Sequence, residues 1–525
     1  MLRKIRIILA TVFFAGVTLL FLDFTGVLHT WLGWMARIQF LPAALALNFA
    51  VVAILLLLTL LFGRVYCSVI CPLGVMQDII SWVHGKTKKK NRFRFTWSPA
   101  KNWLRYSVLA LFVVALIVGA HSLVALVAPY SAYGRIASNL LAPLYQWGNN
   151  LFAWIAERAG SYAFYSIDVW IRSVSTFLIA IVTFMVIGVL AWKHGRTWCN
   201  TICPVGTVLG FFSRFSVFAP VIDKEKCRNC QLCSRQCKAS CINIKEHEID
   251  YSRCVACMDC IDTCKDDAIH YALRYGKRSF AGAQDDKKGA QDDKKGAQDD
   301  RKGAQDDRKS TQETKVDNGR RAFMTATAIA ATTATLKAQE IKLDGGLAEI
   351  ENAKRPERQT PLKPAGSLSL KNFENHCTGC QLCVSECPNG VLRPSTSLLT
   401  LMQPEMSYER GWCRPECNIC SQICPAGAIR PISIEEKSSI QIGHAVINLD
   451  NCVVNTDGVS CGNCARHCPN GAIRMVRKNP DDPASPMIPT VNEERCIGCG
   501  ACENLCPARP FTAIHVEGHE VHKTI

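Results

Sequence analysis

Read for its apolar and polar positions, the chain has two unlike halves. Up to about residue 220, long apolar runs alternate with polar loops. Four runs, Ile5–Leu22, Leu41–Phe62, Tyr106–Ala128 and Val174–Trp192, are long enough to cross a bilayer core of about 30 Å, which takes roughly 20 helical residues. Arg3, Lys4 and Arg6 at the start of the first run resemble the head of a signal peptide. No small-residue cleavage site follows and further spans do, so the run reads as an anchor. Beyond residue 220 the apolar runs shorten and cysteine becomes frequent, as expected of small α+β modules. The pattern predicts a multidomain chain with a four-helix, all-α transmembrane domain over 1–219.

Basic residues orient the spans, because cytoplasmic loops collect Lys and Arg. The loop between the second and third spans carries HGKTKKKNRFRF, whereas the loop after the first span has only Arg37. The loop after the third has only Arg135, Arg158 and Arg172. The chain start, the Lys-rich loop and the stretch after the fourth span are therefore expected in the cytoplasm. The formal charge of +16 then reflects topology and linker rather than a nucleic-acid partner.

The 29 cysteines fall in short clusters with the spacing of metal-cluster ligands, not of a disulfide framework. Cys227, Cys230, Cys233 and Cys237 form a C-x2-C-x2-C-x3-C run, and Cys254, Cys257, Cys260 and Cys264 repeat it. In this bacterial ferredoxin pattern three close thiolates hold one [4Fe–4S] cube and the fourth reaches the other cube. Four more sets follow: Cys377, Cys380, Cys383 and Cys387; Cys413, Cys417, Cys420 and Cys424; Cys452, Cys461, Cys464 and Cys468; Cys496, Cys499, Cys502 and Cys506. The middle two of these are widened between their first and second ligands. Six clusters are therefore expected, in ferredoxin-like domains at 220–275 and 341–525. Among the last four sets a nested exchange is expected, the outer sets sharing fourth ligands and the middle sets doing likewise. Cys241 is left over, either as a spare buried thiol or as an alternative ligand to Cys237.

Two further pairs sit at the feet of the second and fourth apolar runs, in GRVYCSVICPLG and GRTWCNTICPVG. Cys67 and Cys71, like Cys199 and Cys203, are four apart, which would stack them on one helix face, with Pro72 and Pro204 marking a boundary or kink. The boxes are an internal repeat. Brought together they offer four thiolates, enough for an additional metal or cluster; thiol relays and plainly packed cysteines are the other readings.

Residues 276–319 are dominated by a GAQDDKK-type repeat that is too polar to bury a core and reads as a solvated linker. Residues 320–340 begin with Arg320 and Arg321 and continue with small, mildly apolar residues, as a twin-arginine export signal does; an Arg pair opening an ordinary Ala/Thr helix is the alternative. Export would put the 341–525 domain in the periplasm and leave the 220–275 module in the cytoplasm.

Four spans, two C-x3-C-P boxes and two trailing ferredoxin motifs resemble the NapH-type membrane quinol dehydrogenase components of periplasmic nitrate reduction. The second half resembles the four-cluster NapG/MauM-type ferredoxins, so the chain looks like a fusion of two usually separate proteins. The resemblance implies a multi-pass protein of the cytoplasmic membrane, surrounded by lipid. It would take electrons from the quinone pool and pass them through [4Fe–4S] clusters to a terminal reductase or cytochrome. His121, with Tyr133 and Arg135 in the following loop, is the candidate for hydrogen-bonding a quinol ring. The rival reading is a redox-active assembly, metal-handling or regulatory factor for a respiratory oxidase or reductase.

Overall fold

The computed structural model describes residues 1–23, 25–87, 95–274 and 353–525, together with the backbone of 342–343 and 349–350. The repeat linker at 276–319 and the Arg320–Arg321 segment at 320–340 lie outside the described residues. Met1–Arg274 and Ile350–Ile525 pack as one compact unit.

The first half is helical. Its main helices are α1 (Leu2–Leu22), α2 (Phe40–Leu45), α3 (Phe49–Phe62), α4 (Pro72–Thr87), α5 (Asn102–Val118), α6 (His121–Val127), α7 (Pro129–Ile136), α8 (Ala142–Arg158), α9 (Val174–His194) and α10 (Pro204–Ser213). Among the described residues, α1 and α9, at 21 residues each, are the helices long and apolar enough by themselves to cross a membrane. The second and third expected spans are not continuous helices. Leu47 adopts a left-handed conformation and the Asn48 side chain caps Val51, so α2 stops and α3 starts inside the second apolar run. Gly119, at φ +84°, ends α5 inside the third. At 14 and 17 residues, α3 and α5 are about 21 and 26 Å long.

Helix α1 touches almost every other part of the molecule in order along its length. Arg3 pairs with Asp259 at 2.9 Å and Arg6 with Asp78 at 2.6 Å. Further on, Thr18 meets the Tyr133 hydroxyl at 2.5 Å. Near its end, Phe21 packs on Gly134, whose missing side chain leaves room for the carbonyl of Cys380; a Cβ there would stand 2.3 Å from that oxygen. The outward sides of α1, α3, α5 and α9 keep large apolar residues exposed, among them Ile8, Leu57, Ile117 and Val182.

The cysteine-rich modules sit at the two ends of this bundle. In the 220–275 module, Phe218–Ile222 runs antiparallel to Ile269–Leu273, so the chain enters and leaves side by side. Its Tyr271 hydroxyl donates to the Phe62 carbonyl at the end of α3. The 353–525 domain is built on three antiparallel ribbons: Leu392–Pro394 with Pro404–Met406, Ile473–Arg477 with Met487–Val491, and Ile440–Ile447 with Ile514–Thr524. It meets the bundle at the far end of α1, where Asn139 Nδ2 donates to Gln381 Oε1 at 3.0 Å and Arg172 donates to the carbonyls of Val384 and Ser385.

Candidate iron–sulfur centres and the paired cysteine boxes

In the four sets with standard spacing, the second cysteine is flanked on both sides by left-handed residues. These are Asn229 and Gln231 around Cys230, Ala256 and Met258 around Cys257, Gly379 and Gln381 around Cys380, and Gly498 and Gly500 around Cys499. Such a conformation in Gln or Met costs energy and persists where the surroundings require it. Alternating right- and left-handed residues turn successive N–H groups inward and form the concave nests that hold anions and iron–sulfur clusters. The loops are thus shaped to wrap a cube.

The thiols group as the ferredoxin pattern requires. Cys233 lies in the field of Cys227, Cys230 and Cys264, and Cys260 in that of Cys254, Cys257 and Cys237, so the last cysteine of each motif stands beside the first three of the other. In the second half, Cys377, Cys380 and Cys383 are joined by Cys424. Cys413, Cys417 and Cys420 are joined by Cys387 and enclose a cavity with it. Cys461 and Cys464 face Cys506, while Cys496, Cys499 and Cys502 surround a cavity with Cys468. Cys452 is buried in the same domain.

The nested exchange is therefore wrong: the first set pairs with the second and the third with the fourth. Each pair is closed by its own short ribbon, Leu392–Met406 in one case and Ile473–Val491 in the other, and short loops close at lower entropic cost. Among the described residues no three Cys, His, Asp or Glu side chains converge on a single-ion site. A cube spreads its ligands farther apart than one ion does.

Cys241 is fully buried with its Sγ 3.5 Å from that of Cys237, and it lines the cavity of Cys254, Cys257 and Cys260. Its hydrogen bond pulls Cys237 below the usual thiol range, against the effect of burial.

The boxes occupy the seam between the two helical repeats. Cys67 lies in a wide helical turn, Tyr66–Ile70, and Cys199 in the short helix Thr197–Thr201. Cys71 and Cys203 are extended residues that precede α4 and α10. The pairs do not share one helix face, because a residue before proline is steered out of the α conformation. Cys203 Sγ accepts from Gly206 N–H at 3.3 Å. All four thiols are buried and lie within one another's fields.

Two arginines cross this seam reciprocally. Arg64 donates to the Cys199 carbonyl at 3.2 Å and approaches Cys67 Sγ at 3.7 Å. Arg196 donates to the Cys67 carbonyl at 2.8 Å and approaches Cys199 Sγ at 3.9 Å. Gly74 and Gly206 make room for them: a Cβ at either would stand within 2.5 Å of Arg196 or 2.8 Å of Arg64.

Residues 45–91 and 176–221, which hold the two boxes, both match one family model described as a 4Fe-4S binding domain. Residues 459–509 match a 4Fe-4S dicluster domain and residues 373–393 a 4Fe-4S binding domain. The ferredoxin-type protein NapH of Haemophilus influenzae is 27% identical over 244 residues, 45% of this chain and 71% of that protein. The ferredoxin-type protein NapG of Escherichia coli is 29% identical over 205 residues, 37% of this chain and 83% of that protein. The chain is thus similar to the ferredoxin-type proteins NapH and NapG, and it carries 4Fe-4S binding modules suited to iron–sulfur electron transfer. An uncharacterized protein of Methanocaldococcus jannaschii is 26% identical over 222 residues, 42% of this chain and 68% of that one. No solved structure matches the chain.

For a NapH/NapG-like chain the candidate quinol residues are placed unexpectedly. His121 is buried against Asn375 and Glu374 of the second-half domain rather than facing outward. Tyr133 is occupied by Thr18, and Arg135 donates to the carbonyls of Ala125 and Leu126. Glu386 was not singled out from the sequence. It is buried at the same seam with both carboxyl oxygens unpartnered, and burial, reinforced by Asp23, pushes its carboxyl up to about 8. Arg64 and Arg196 were also missed, although the GR that opens each box and the glycine two residues after each proline recur at identical offsets.

Proposed function

We propose that the protein is a membrane quinol-oxidising electron conduit. Electrons from quinol pass through [4Fe–4S] clusters held by the six cysteine sets and leave to a terminal reductase or cytochrome. The observation that carries this reading is the position of the cluster modules at opposite ends of a helical bundle with a broad apolar exterior. The basic loops favour the 220–275 module on the cytoplasmic side and the 353–525 domain on the periplasmic side. That arrangement agrees with an export signal at Arg320 and Arg321. The protein's own contribution is to space the cubes, shield them from water and set their potentials through hydrogen bonds and exposure.

The test is anaerobic protein in detergent titrated with a menaquinol analogue. Bleaching of the cluster absorbance and a reduced-cluster EPR signal are expected. Clusters that stay oxidised would remove quinol oxidation and favour a metal-handling or regulatory role. Protease applied to intact spheroplasts should cut within 353–525 and spare 220–275; the reverse pattern would overturn the orientation.

A further inference from the structure

Each segment that matches the 4Fe-4S binding model around a box holds only two cysteines, Cys67 and Cys71 in one and Cys199 and Cys203 in the other. A cube takes four thiolates. Neither segment completes a site, but the fold presses both pairs into one buried group. We infer that the two repeats hold a single iron–sulfur cluster between them, ligated by Cys67, Cys71, Cys199 and Cys203, with Arg64 and Arg196 as counter-charges reaching across the seam.

Electrostatics supports this independently of the cysteine count. Arg64 is fully buried, yet among the described residues no carboxylate pairs with it; its contacts are Asn200 Oδ1 at 2.8 Å, two carbonyls and Cys67 Sγ, and its Nε has no partner. Arg105, also buried, donates among the described residues to the Ser252 hydroxyl and carbonyl and lies in the field of Asp250, so Arg64 is the guanidinium left uncompensated. Asp78 cannot neutralise it, because it already meets Arg196, Arg6 and Lys238. Buried guanidinium without a counter-ion is strongly unfavourable. Four thiolates around a cube supply negative charge where it is missing, and Gln77 Nε2 and Gly206 N–H already point at two of the sulfurs.

The position suits a relay. On one side Arg64 lies between the box thiols and Cys254, bonding the Ser252 carbonyl at 3.2 Å. On the other, Tyr66 donates to Gln39 at 3.0 Å, α2 runs on from Phe40, and Ala46 packs on Gly427 beyond Cys424. Measured along α1, the Arg6 level of the boxes and the Phe21 level of Cys380 are 15 residues apart, about 22 Å. A centre here accepts one electron from a neighbouring cube and gives one to the next; no bond changes and no proton moves. The inference rests on the conduit reading, but a conduit of six clusters would survive its failure.

Iron and sulfide analysis of anaerobic wild-type protein decides first: about 28 irons per chain are expected with the shared cluster, against about 24 from the six cysteine sets alone. A value near 24 overturns the inference. Cys67→Ser with Cys71→Ser, and Cys199→Ser with Cys203→Ser, should each remove the same EPR signal and about four irons. The quadruple variant should lose no more. Separate signals with additive losses would mean two centres and would also overturn it. Arg64→Gln, which keeps all four thiols, should retain the iron and lower the midpoint potential of that one signal; an unmoved potential would remove the arginine from the site. Quinol bleaching of the other clusters, followed in the same samples, reports on the conduit separately.

Discussion

The two ends of the bundle hold their cluster modules by different physics. At the α1 start, contact is ionic and buried: Asp78 meets Arg6, Arg196 and Lys238, and Asp259 meets Lys238 and Arg3. At the α1 end the buried contacts are hydrogen bonds to backbone and amides, such as Arg172 to the Val384 and Ser385 carbonyls. The ion pair there, Arg410 with Asp168, lies at the surface. The 220–275 module follows α10 directly and can fold against a charge network that is worthless unless every partner is present. The second-half domain comes after a long segment, and its joint asks little of the bundle beyond shape and a few donors. On the proposed topology, such a joint suits a domain that arrives already folded around its metal.

The largest effect should come from Asp78→Asn. It leaves Arg196, Arg6 and Lys238 without their shared carboxylate, and breaking such a buried network costs about 3–5 kcal/mol. Hydrogen exchange should rise in 220–275 and stay unchanged in 353–525; an equal rise in both would erase the distinction between the joints. Arg172→Ala removes a charged donor from two carbonyls, about 1.5–3 kcal/mol, and should raise exchange around residues 382–387 only.

Acid should separate the ends further. His522, in the Ile514–Thr524 strand, is held down to about 4 by burial and then by His519. Its folded value lies below the unfolded one, so the native state resists protonation and the ribbon loses stability as pH falls from about 6.5 towards 4, by about 1–2 kcal/mol at pH 5. Asp78 behaves oppositely. Burial would raise it, but Arg196 and Lys238 outweigh burial and hold it well below the usual carboxylate range. Its contribution is complete above about pH 4 and is lost only in stronger acid. Hydrogen exchange in the Ile514–Thr524 strand should therefore rise between pH 7 and 5, and His522→Leu should remove most of that rise. Glu386, whose carboxyl is pushed up to about 8, takes up a proton in the folded state over the same range and works the opposite way around residues 382–387. The smallest change belongs to Arg410→Ala, whose exposed pair is worth under about 1 kcal/mol; a larger loss of protease resistance would show that the surface contact matters to docking.

Much of this site was legible in the sequence, because cube ligands sit close along the chain and their spacing survives without coordinates. Which set lends its fourth cysteine to which does not reside in spacing. It depends on the ribbons at Leu392–Met406 and Ile473–Val491, whose strands are too short to announce themselves. The broken second and third spans were hidden by hydropathy, which cannot see that Asn48 caps a helix or that Gly119 ends one. The crossing arginines were in plain view within the repeated boxes. Their role was not, since a basic residue at a helix foot reads first as a topology signal, and only packing reveals that each serves the opposite repeat.

Helix α1 acts as a tie-rod whose length gauges the distance between redox modules. Its contacts from Arg3 to Phe21 fix the gap in steps of 1.5 Å, and each step also turns every later side chain by 100°. Tunnelling probability decays exponentially with separation, so lengthening the rod by one full turn, about 5.4 Å, would keep the same faces inward while throttling current between the ends. A one-residue insertion would do something harsher: it would rotate Thr18 and Phe21 away from Tyr133 and Gly134 and unseat the distal domain altogether.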